Sequence, residues 1–363
     1  MTRYLLAGGG TAGHVNPLLA VADRLSEREP ESSVLVLGTA EGLEARLVPL
    51  RGYELLMVAR LPFPRRLSLS ALRFPRRFTE LVSAIQALIR EHRIDVLVGF
   101  GGYVSAPAYL AARREKIAIV VHEANAKPGM ANRLGACLTR FVGVAFAGTR
   151  LAHHRLVGMP LRREVETLDR ASDRRAALAF FGLSSARPTL LITGGSLGAR
   201  HINETIVACA ATIIGAGWQV LHIAGERSEL VAPGFDEYVL VAYCDRMELA
   251  LAAADLAVAR AGAATVSEFT GLGLAAVYVP LGIGNGEQKL NTRGVVAAGG
   301  AIVVENSAFS PQWVLSSLIP LLQNRALIAD MSARARAVGV LDGTDRTVDL
   351  VLDSVRANIG LSQ

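Results

Sequence analysis

Three runs of residues in this chain have the types and spacing to hold an anion and move a proton. They are Gly8-Gly9-Gly10-Thr11-Ala12-Gly13-His14, Gly194-Gly195-Ser196-Leu197-Gly198-Ala199-Arg200 and Arg260-Ala261-Gly262-Ala263-Ala264-Thr265-Val266-Ser267-Glu268. A glycine turn that opens a helix presents bare backbone N–H groups and the positive end of a helix to a phosphate. His14 falls where the first helix begins, a place that disfavours imidazolium. A neutral imidazole accepts a hydroxyl proton at neutral pH. The same ring would equally bond a phosphate or cap the turn, and the residue types leave both roles open. Thr265 and Glu268 are three apart and share a face of the first helical turn. A carboxylate there can accept both hydroxyls of a ribose, whereas a structural glutamate would only balance the helix dipole. The polar loop Gly284-Asn285-Gly286-Glu287-Gln288 follows, and the combination is the pattern of a nucleotide-sugar site.

Two further groups sit at strand ends. Gly101-Gly102-Tyr103-Val104-Ser105-Ala106-Pro107 is another turn into a helix, suited to a second phosphate. His122-Glu123-Ala124-Asn125 puts polar groups at the end of the next strand, with Asn125 either a turn residue or a ligand contact. Gly8-x-Gly10-x-x-Gly13 also fits the dinucleotide fingerprint. That reading needs an acid at the end of the second strand. The strand ends in Gly38-Thr39, with Glu41 and Glu44 beyond it, which disfavours NAD or FAD.

These groups are positioned by alternating strands and helices. Apolar runs at 3–7, 34–37, 96–98, 118–121, 189–193, 220–223, 238–241, 256–259, 276–279 and 301–304 read as buried strands. Helical periods run over 17–25, 79–91, 106–114, 202–214, 313–322, 326–337 and 345–357. Such alternation predicts an α/β fold of doubly wound parallel sheets with ligands at the carboxyl ends of the strands. The glycine turn recurs about a domain length apart. Gly158-Met159-Pro160-Leu161-Arg162 carries two breakers between the halves. The expected domains are 1–160 and 161–342, followed by a last helix.

The chain has 363 residues, is 51% apolar and carries a net charge of +6. That size supports two full cores, and the charge asks for an anionic partner unless it reflects a bias towards arginine. Lys occurs only at 116, 127 and 289. Cys137, Cys209 and Cys244 are scattered, with no CxxC, which argues against a disulfide framework or a zinc site. No signal peptide is read at the start, and no apolar run reaches the ~18–20 residues of a spanning helix. Residues 60–78 mix Leu61, Phe63, Leu69, Leu72, Phe74 and Phe78 with six arginines. Apolar side chains ringed by Arg suit an anionic bilayer surface, with Leu69, Leu72, Phe74 and Phe78 as the inserting residues. The alternative is a solvated loop with some side chains in the core.

In this order the motifs resemble the MurG family of peptidoglycan glycosyltransferases, over residues 4 to about 340. The resemblance implies a GT-B fold, two Rossmann-like domains with a cleft between them and a last helix, about 343–363, that packs back on the first. It implies inverting transfer of N-acetylglucosamine from UDP-N-acetylglucosamine to the muramoyl O4 of lipid I, giving lipid II. It implies a peripheral enzyme on the cytoplasmic face of the membrane, with no tightly bound cofactor and no metal site, a divalent cation serving at most as an aid. Carried over by motif, Thr11, Ala12 and Gly13 line the phosphate side of the donor, and Asn125 and Gln288 contact the sugar. Arg162 and Ser196 hold the diphosphate. Cys244 faces uracil through its backbone. Ala263, Ala264, Thr265, Val266, Ser267 and Glu268 bracket phosphate, ribose and base. His14 is the expected base. Gly10, Gly102, Tyr103 and Ser105 are the expected hold on the acceptor diphosphate. Leu197, Ala124, Met159 and Glu287 depart from the residues usual in the family. A transferase with another lipid acceptor and a UDP-N-acetylglucosamine 2-epimerase share the architecture. The epimerase needs no lipid, so the 60–78 segment argues against it. No arginine–aromatic stripe on a recognition fold points to nucleic acid.

Overall fold

The computed structural model describes residues 1–64, 69–195, 198–282 and 286–360. The chain forms two compact units, Met1–Arg162 with Asp342–Gln363, and Arg163–Leu341.

The first unit holds seven parallel strands: β1 (Arg3–Gly8), β2 (Ser33–Gly38), β3 (Glu54–Met57), β4 (Val96–Gly101), β5 (Ala118–Glu123), β6 (Phe141–Val144) and β7 (His154–Leu156). Their order is β3-β2-β1-β4-β5-β6-β7. Both faces are covered, so the central strands are continuous apolar runs. Successive residues of β1 serve opposite cores. Tyr4 and Leu6 pack with the helix Ala12–Arg28 and with Val348 and Val351 of the last helix. Leu5 and Ala7 pack with Val82, Ile85, Ala108 and Tyr109 from the helices Leu69–Glu91 and Ser105–Glu115. The last helix, Gly343–Gly360, is pinned at its start. Leu161 N–H donates to Thr344 Oγ1 (3.2 Å), and Arg28 pairs with Asp349 (2.8 Å).

The second unit holds β8 (Thr189–Thr193), β9 (Gln219–Ile223), β10 (Tyr238–Val241), β11 (Leu256–Ala259), β12 (Ala276–Tyr278) and β13 (Ala301–Val303). Their order is β10-β9-β8-β11-β12-β13, all parallel. In each unit the chain winds outward from its first strand and then resumes on that strand's other side. The order reverses between β1 and β4, and again between β8 and β11. Crevices at such reversals, at the carboxyl edge, are where open α/β sheets bind ligands.

Several local expectations are corrected. The helix expected from Thr79 begins at Leu69, so much of the basic–apolar segment is helical. The period over 202–214 is two helices, Arg200–Ala208 and Ala210–Gly215. The stretch 313–322 contains a π-turn at Val314–Leu318. Pro320, just after it, has no N–H to continue an α-helical ladder. The helices Glu44–Leu50, Met130–Ala136 and Arg170–Phe181 and the strands β3, β6 and β7 were not anticipated. β7 is an exposed edge of three residues with no apolar signal to read.

Candidate active site

At the reversal in the first unit, the turns after β1 and β4 touch. Gly102 has φ +86°, and a β-carbon there would lie 2.8 Å from the Gly9 carbonyl. Only glycine permits that approach. Thr11 starts the helix Ala12–Arg28 without a side-chain cap, and its carbonyl takes the N–H groups of His14 and Val15. His14 Nδ1 lies 3.2 Å from the Gly9 carbonyl. A carbonyl only accepts, so Nδ1 carries the proton in that contact. In the neutral ring this leaves Nε2 with the lone pair. Nε2 looks towards Gly101, where an added β-carbon would come within 3.3 Å of it.

Glu44 braces this turn from beneath. Its buried carboxylate accepts the N–H of Gly10 (2.8 Å), the N–H of Thr39 (3.0 Å) and the Thr39 hydroxyl (2.9 Å). Burial opposes its charge, but the donors of Gly10, Glu44 itself and Thr39 outweigh it and hold the carboxyl below its usual range. The acid beyond β2 is thus committed to the turn and not to a ribose. Above it lies a hollow of about 60 Å³ lined by Gly9, Gly10, Thr39, Glu41, Arg60 and Tyr103. The Arg60 guanidinium sits 5.8 Å from the centroid of the Tyr103 ring.

The Asn125 loop is built on a buried network. Glu123 accepts the N–H groups of Asn125 (2.8 Å) and Gly129 (2.9 Å) and the Asn132 amide (3.0 Å). Tyr109 donates to Asn132 Oδ1 (2.8 Å). His122 turns inward, with Nε2 2.9 Å from the Gly158 carbonyl. Burial pushes its pKa down to about 4, against the opposing Gly158 bond.

In the second unit the helices Arg200–Ala208 and Ala263–Leu272 also start without side-chain caps, at Ala199 and Gly262. By contrast Asp169, Ser310 and Asn324 cap helices with their own side chains. The uncapped starts leave N–H groups to an anion. Ala263, Ala264, Thr265 and Glu268 are half-buried and form the accessible face of their helix. Leu281 and Gln288 beside it are tied down. Gln288 Oε1 accepts the N–H groups of Leu281 (2.9 Å) and Ala261 (3.3 Å), and Arg260 donates to the Val279 carbonyl (2.9 Å) and Asn306 Oδ1 (2.7 Å). In the helix after the second glycine turn, Asn203 donates to the Ala224 carbonyl beyond β9 (2.9 Å) and accepts from His222 Nε2 (3.1 Å). Tyr238 then donates to His222 Nδ1 (2.5 Å).

The structure thus gathers Gly10, Thr11, Ala12, Gly13, His14, Gly102 and Tyr103 at one reversal. In its own unit it sets Ala263, Ala264, Thr265, Glu268 and Gln288 beside the other. Cys244 lies half-buried in the loop after β10, and Arg162 ends the first stretch of the first unit. Ser196 lies outside the described residues.

Four side chains expected at ligands or at a bilayer have other duties. Ser105 is fully buried, and its hydroxyl bonds the carbonyls of Ala7 (3.1 Å) and Gly101 (2.8 Å) as a strut of the turn. Val266 and Ser267 face the core. Phe78 packs against the sheet. Leu72 is 80% exposed and Phe63 58% exposed, with Phe74 between Phe63 and Phe78 at 5.3 and 5.6 Å. The Leu69 side chain lies outside the described set. Sequence reasoning missed Glu44, Arg60 and the Glu123–Asn132–Tyr109 network. The one signal for Glu44 was its setting between Gly38, Gly42 and the first turn, since its side chain fills the space those glycines leave.

Two doubly wound parallel-sheet units with glycine turns at their strand ends are the architecture of the GT-B fold. The chain matches the glycosyltransferase family 28 N-terminal domain over residues 4–142 and its C-terminal domain over 189–346, and it belongs to that family. It is 62% identical to the UDP-N-acetylglucosamine--N-acetylmuramyl-(pentapeptide) pyrophosphoryl-undecaprenol N-acetylglucosamine transferase of Leifsonia xyli subsp. xyli, over 98% of this chain and 100% of that one. The crystal structure of Acinetobacter baumannii MurG superposes with a TM-score of 0.79 at 28% identity, covering 97% of this chain and 100% of the other. A UDP-GlcNAc 2-epimerase from Neisseria meningitidis, bound to UDP-GlcNAc, reaches 0.68 at 15% identity over 97% and 100%, a likeness of fold alone.

Proposed function

We propose that this chain transfers N-acetylglucosamine from UDP-N-acetylglucosamine to the 4-hydroxyl of the muramoyl sugar of lipid I, forming lipid II for peptidoglycan. The observation that carries this is the 62% identity, end to end, with a relative named for that reaction. The acceptor oxygen attacks C1 of the donor sugar from the face opposite the diphosphate, giving inversion. The C1–O bond breaks with its electron pair leaving on UDP, and the hydroxyl proton passes to His14 Nε2. That role is supported by the Nδ1–Gly9 contact, which leaves the lone pair on Nε2. The uncapped N–H groups at the start of the helix Ala263–Leu272, together with Ser196 and Arg162, serve the charge growing on the diphosphate. Glu268 takes the ribose hydroxyls, the Cys244 backbone the uracil, and Gln288 and Asn125 the sugar. Thr11, Ala12 and Gly13 take the phosphate side of the donor. Gly102 and Tyr103 take the acceptor diphosphate. Gly10 shapes that turn, since its N–H is already given to Glu44. No resident cofactor or metal is assigned a part.

The acceptor's polyprenyl chain stays in a bilayer, and exposed Leu72 and Phe63 beside Arg73, Arg76 and Arg77 suit the cytoplasmic surface of that bilayer. Among the described residues no helix is long and apolar enough to cross a membrane.

The test is transfer of radiolabelled N-acetylglucosamine to a short-chain lipid I analogue. The expected result is label in the acceptor and none released when acceptor is omitted. Tight UDP-sugar binding with no transfer, or epimerised UDP-sugar instead, would overturn the reading.

A further inference from the structure

The glycine turns occupy the carboxyl edge of the first unit's sheet. At the opposite edge, roughly 20 Å away along six-residue strands, a pocket of about 280 Å³ opens where β5 and β6 begin. Arg113 and Lys116 enter it from the end of the helix Ser105–Glu115, Arg140 from the turn before β6, and Ser354 and Asn358 from the last helix. Among the described residues no carboxylate lines it. The acids nearby are engaged elsewhere: Glu115 by Arg90 and Gln86, Asp353 by Arg356 and Arg155. Among the described residues none forms an ion pair with Arg113, Lys116 or Arg140. The hydroxyls of Thr139 and Ser354 donate to the carbonyls of Ile119 and Val351, so the cations dominate the field inside. A larger hollow of about 590 Å³ in the second unit, beside Arg200 and Arg227, is balanced by Glu204 and Glu229 and asks for no counter-ion.

Cations at a helix C-terminus often only balance its dipole. Arg140 belongs to no helix, yet it converges on the same space, its guanidinium 5.4 Å from the Phe141 ring. Lys116 also holds φ +59°, a conformation in which glycine would cost less.

We propose that this pocket is a binding site for a phosphate-bearing anion, separate from the donor and acceptor turns. Its occupant carries a phosphate group, either in the headgroup of an anionic lipid or as a free phosphate. The test compares wild type with the triple variant Arg113→Gln, Lys116→Gly, Arg140→Gln. Glycine at 116 suits the backbone, so the variant should keep its melting temperature. Both proteins, saturated with UDP, are titrated with glycerol phosphate, with inorganic phosphate, and with phosphatidylglycerol or phosphatidylcholine vesicles. Each basic residue near an anionic surface contributes ~1 kcal/mol, so three should weaken phosphatidylglycerol binding on the order of 100-fold. That loss confined to vesicles assigns a lipid headgroup, and loss of the soluble phosphates as well assigns a free phosphate. Equal binding of every probe by both proteins overturns the proposal. Transfer to a short-chain acceptor without vesicles should be unchanged in the variant, so failure here is distinct from failure of the transferase reading.

Discussion

His14 is placed by its Nδ1 contacts, the Gly9 carbonyl at 3.2 Å and the Thr11 hydroxyl at 3.4 Å. Its Nδ1 faces the Gly9 carbonyl, and Nε2 is left to accept a proton. His14→Ala should therefore lower kcat by ~10²–10⁴-fold while UDP binding, followed by calorimetry, stays near wild type. An equal fall in donor affinity would make it a phosphate ligand instead. Tyr103 is 43% exposed under Arg60, beside the turn assigned to the acceptor. Tyr103→Ala should raise the lipid I KM and leave the UDP-sugar KM alone. Gly102→Ala is a poor probe of the same point, since its β-carbon would press on the Gly9 carbonyl and deform the turn it was meant to test. Glu44→Gln puts an amide against the Gly10 and Thr39 donors. With a buried donor left unmatched it should cost about 1–3 kcal/mol in urea unfolding. The chemistry-bearing residues were legible because glycine turns and a Thr-x-x-Glu spacing are local. Their braces were not, because Glu44 reaches a turn 34 residues away and Asn132 a tyrosine 23 residues away.

Elements were legible where their apolar period was complete. β8, β10 and β11 begin and end where the alternation of apolar and turn residues places them. The first unit's edge strands β3 and β7 and the short helices lacked that signal, and the charged run after Arg162 hid the helix Arg170–Phe181. Its arginine shows how such a charge is used. The Arg170 guanidinium donates to the carbonyls of Leu251 (3.0 Å) and Gly273 (3.2 Å) and to that of Ala254, gathering two helix ends at once. Burial lowers its pKa, yet the carbonyl dipoles of helix C-termini favour a cation there. Arg170→Met should destabilise the second unit by roughly 2–3 kcal/mol, seen as a lower urea midpoint with UDP-sugar affinity intact at low denaturant. An unchanged midpoint would mean that water replaces the guanidinium at those carbonyls.

At the scale of the whole molecule, each unit carries one buried histidine, His122 and His222, with its pKa pushed down to about 4 by burial. Unfolded histidine takes up a proton below about pH 6.5. Between those values the unfolded chain binds more protons than the folded one, so stability rises with pH. The contribution is complete above pH 6.5 and is lost as pH falls towards 4. Each gap corresponds to roughly 3 kcal/mol. Urea midpoints should therefore climb from pH 4 to 6.5 and level off, and a flat profile would show that both rings stay solvated. The sequence by itself determined the α/β class, the recurrence of the glycine turn and the residues able to meet a diphosphate, because each is set by neighbours within a strand–turn–helix unit. Only the tertiary structure decided that Ser105, Val266 and Ser267 point inward, that Glu44 clamps the first turn, and that the last helix buries Val348 and Val351 under β1. Those facts depend on contacts between residues far apart in the chain. Burial assigned each of these polar or apolar side chains its place, and residue type alone did not.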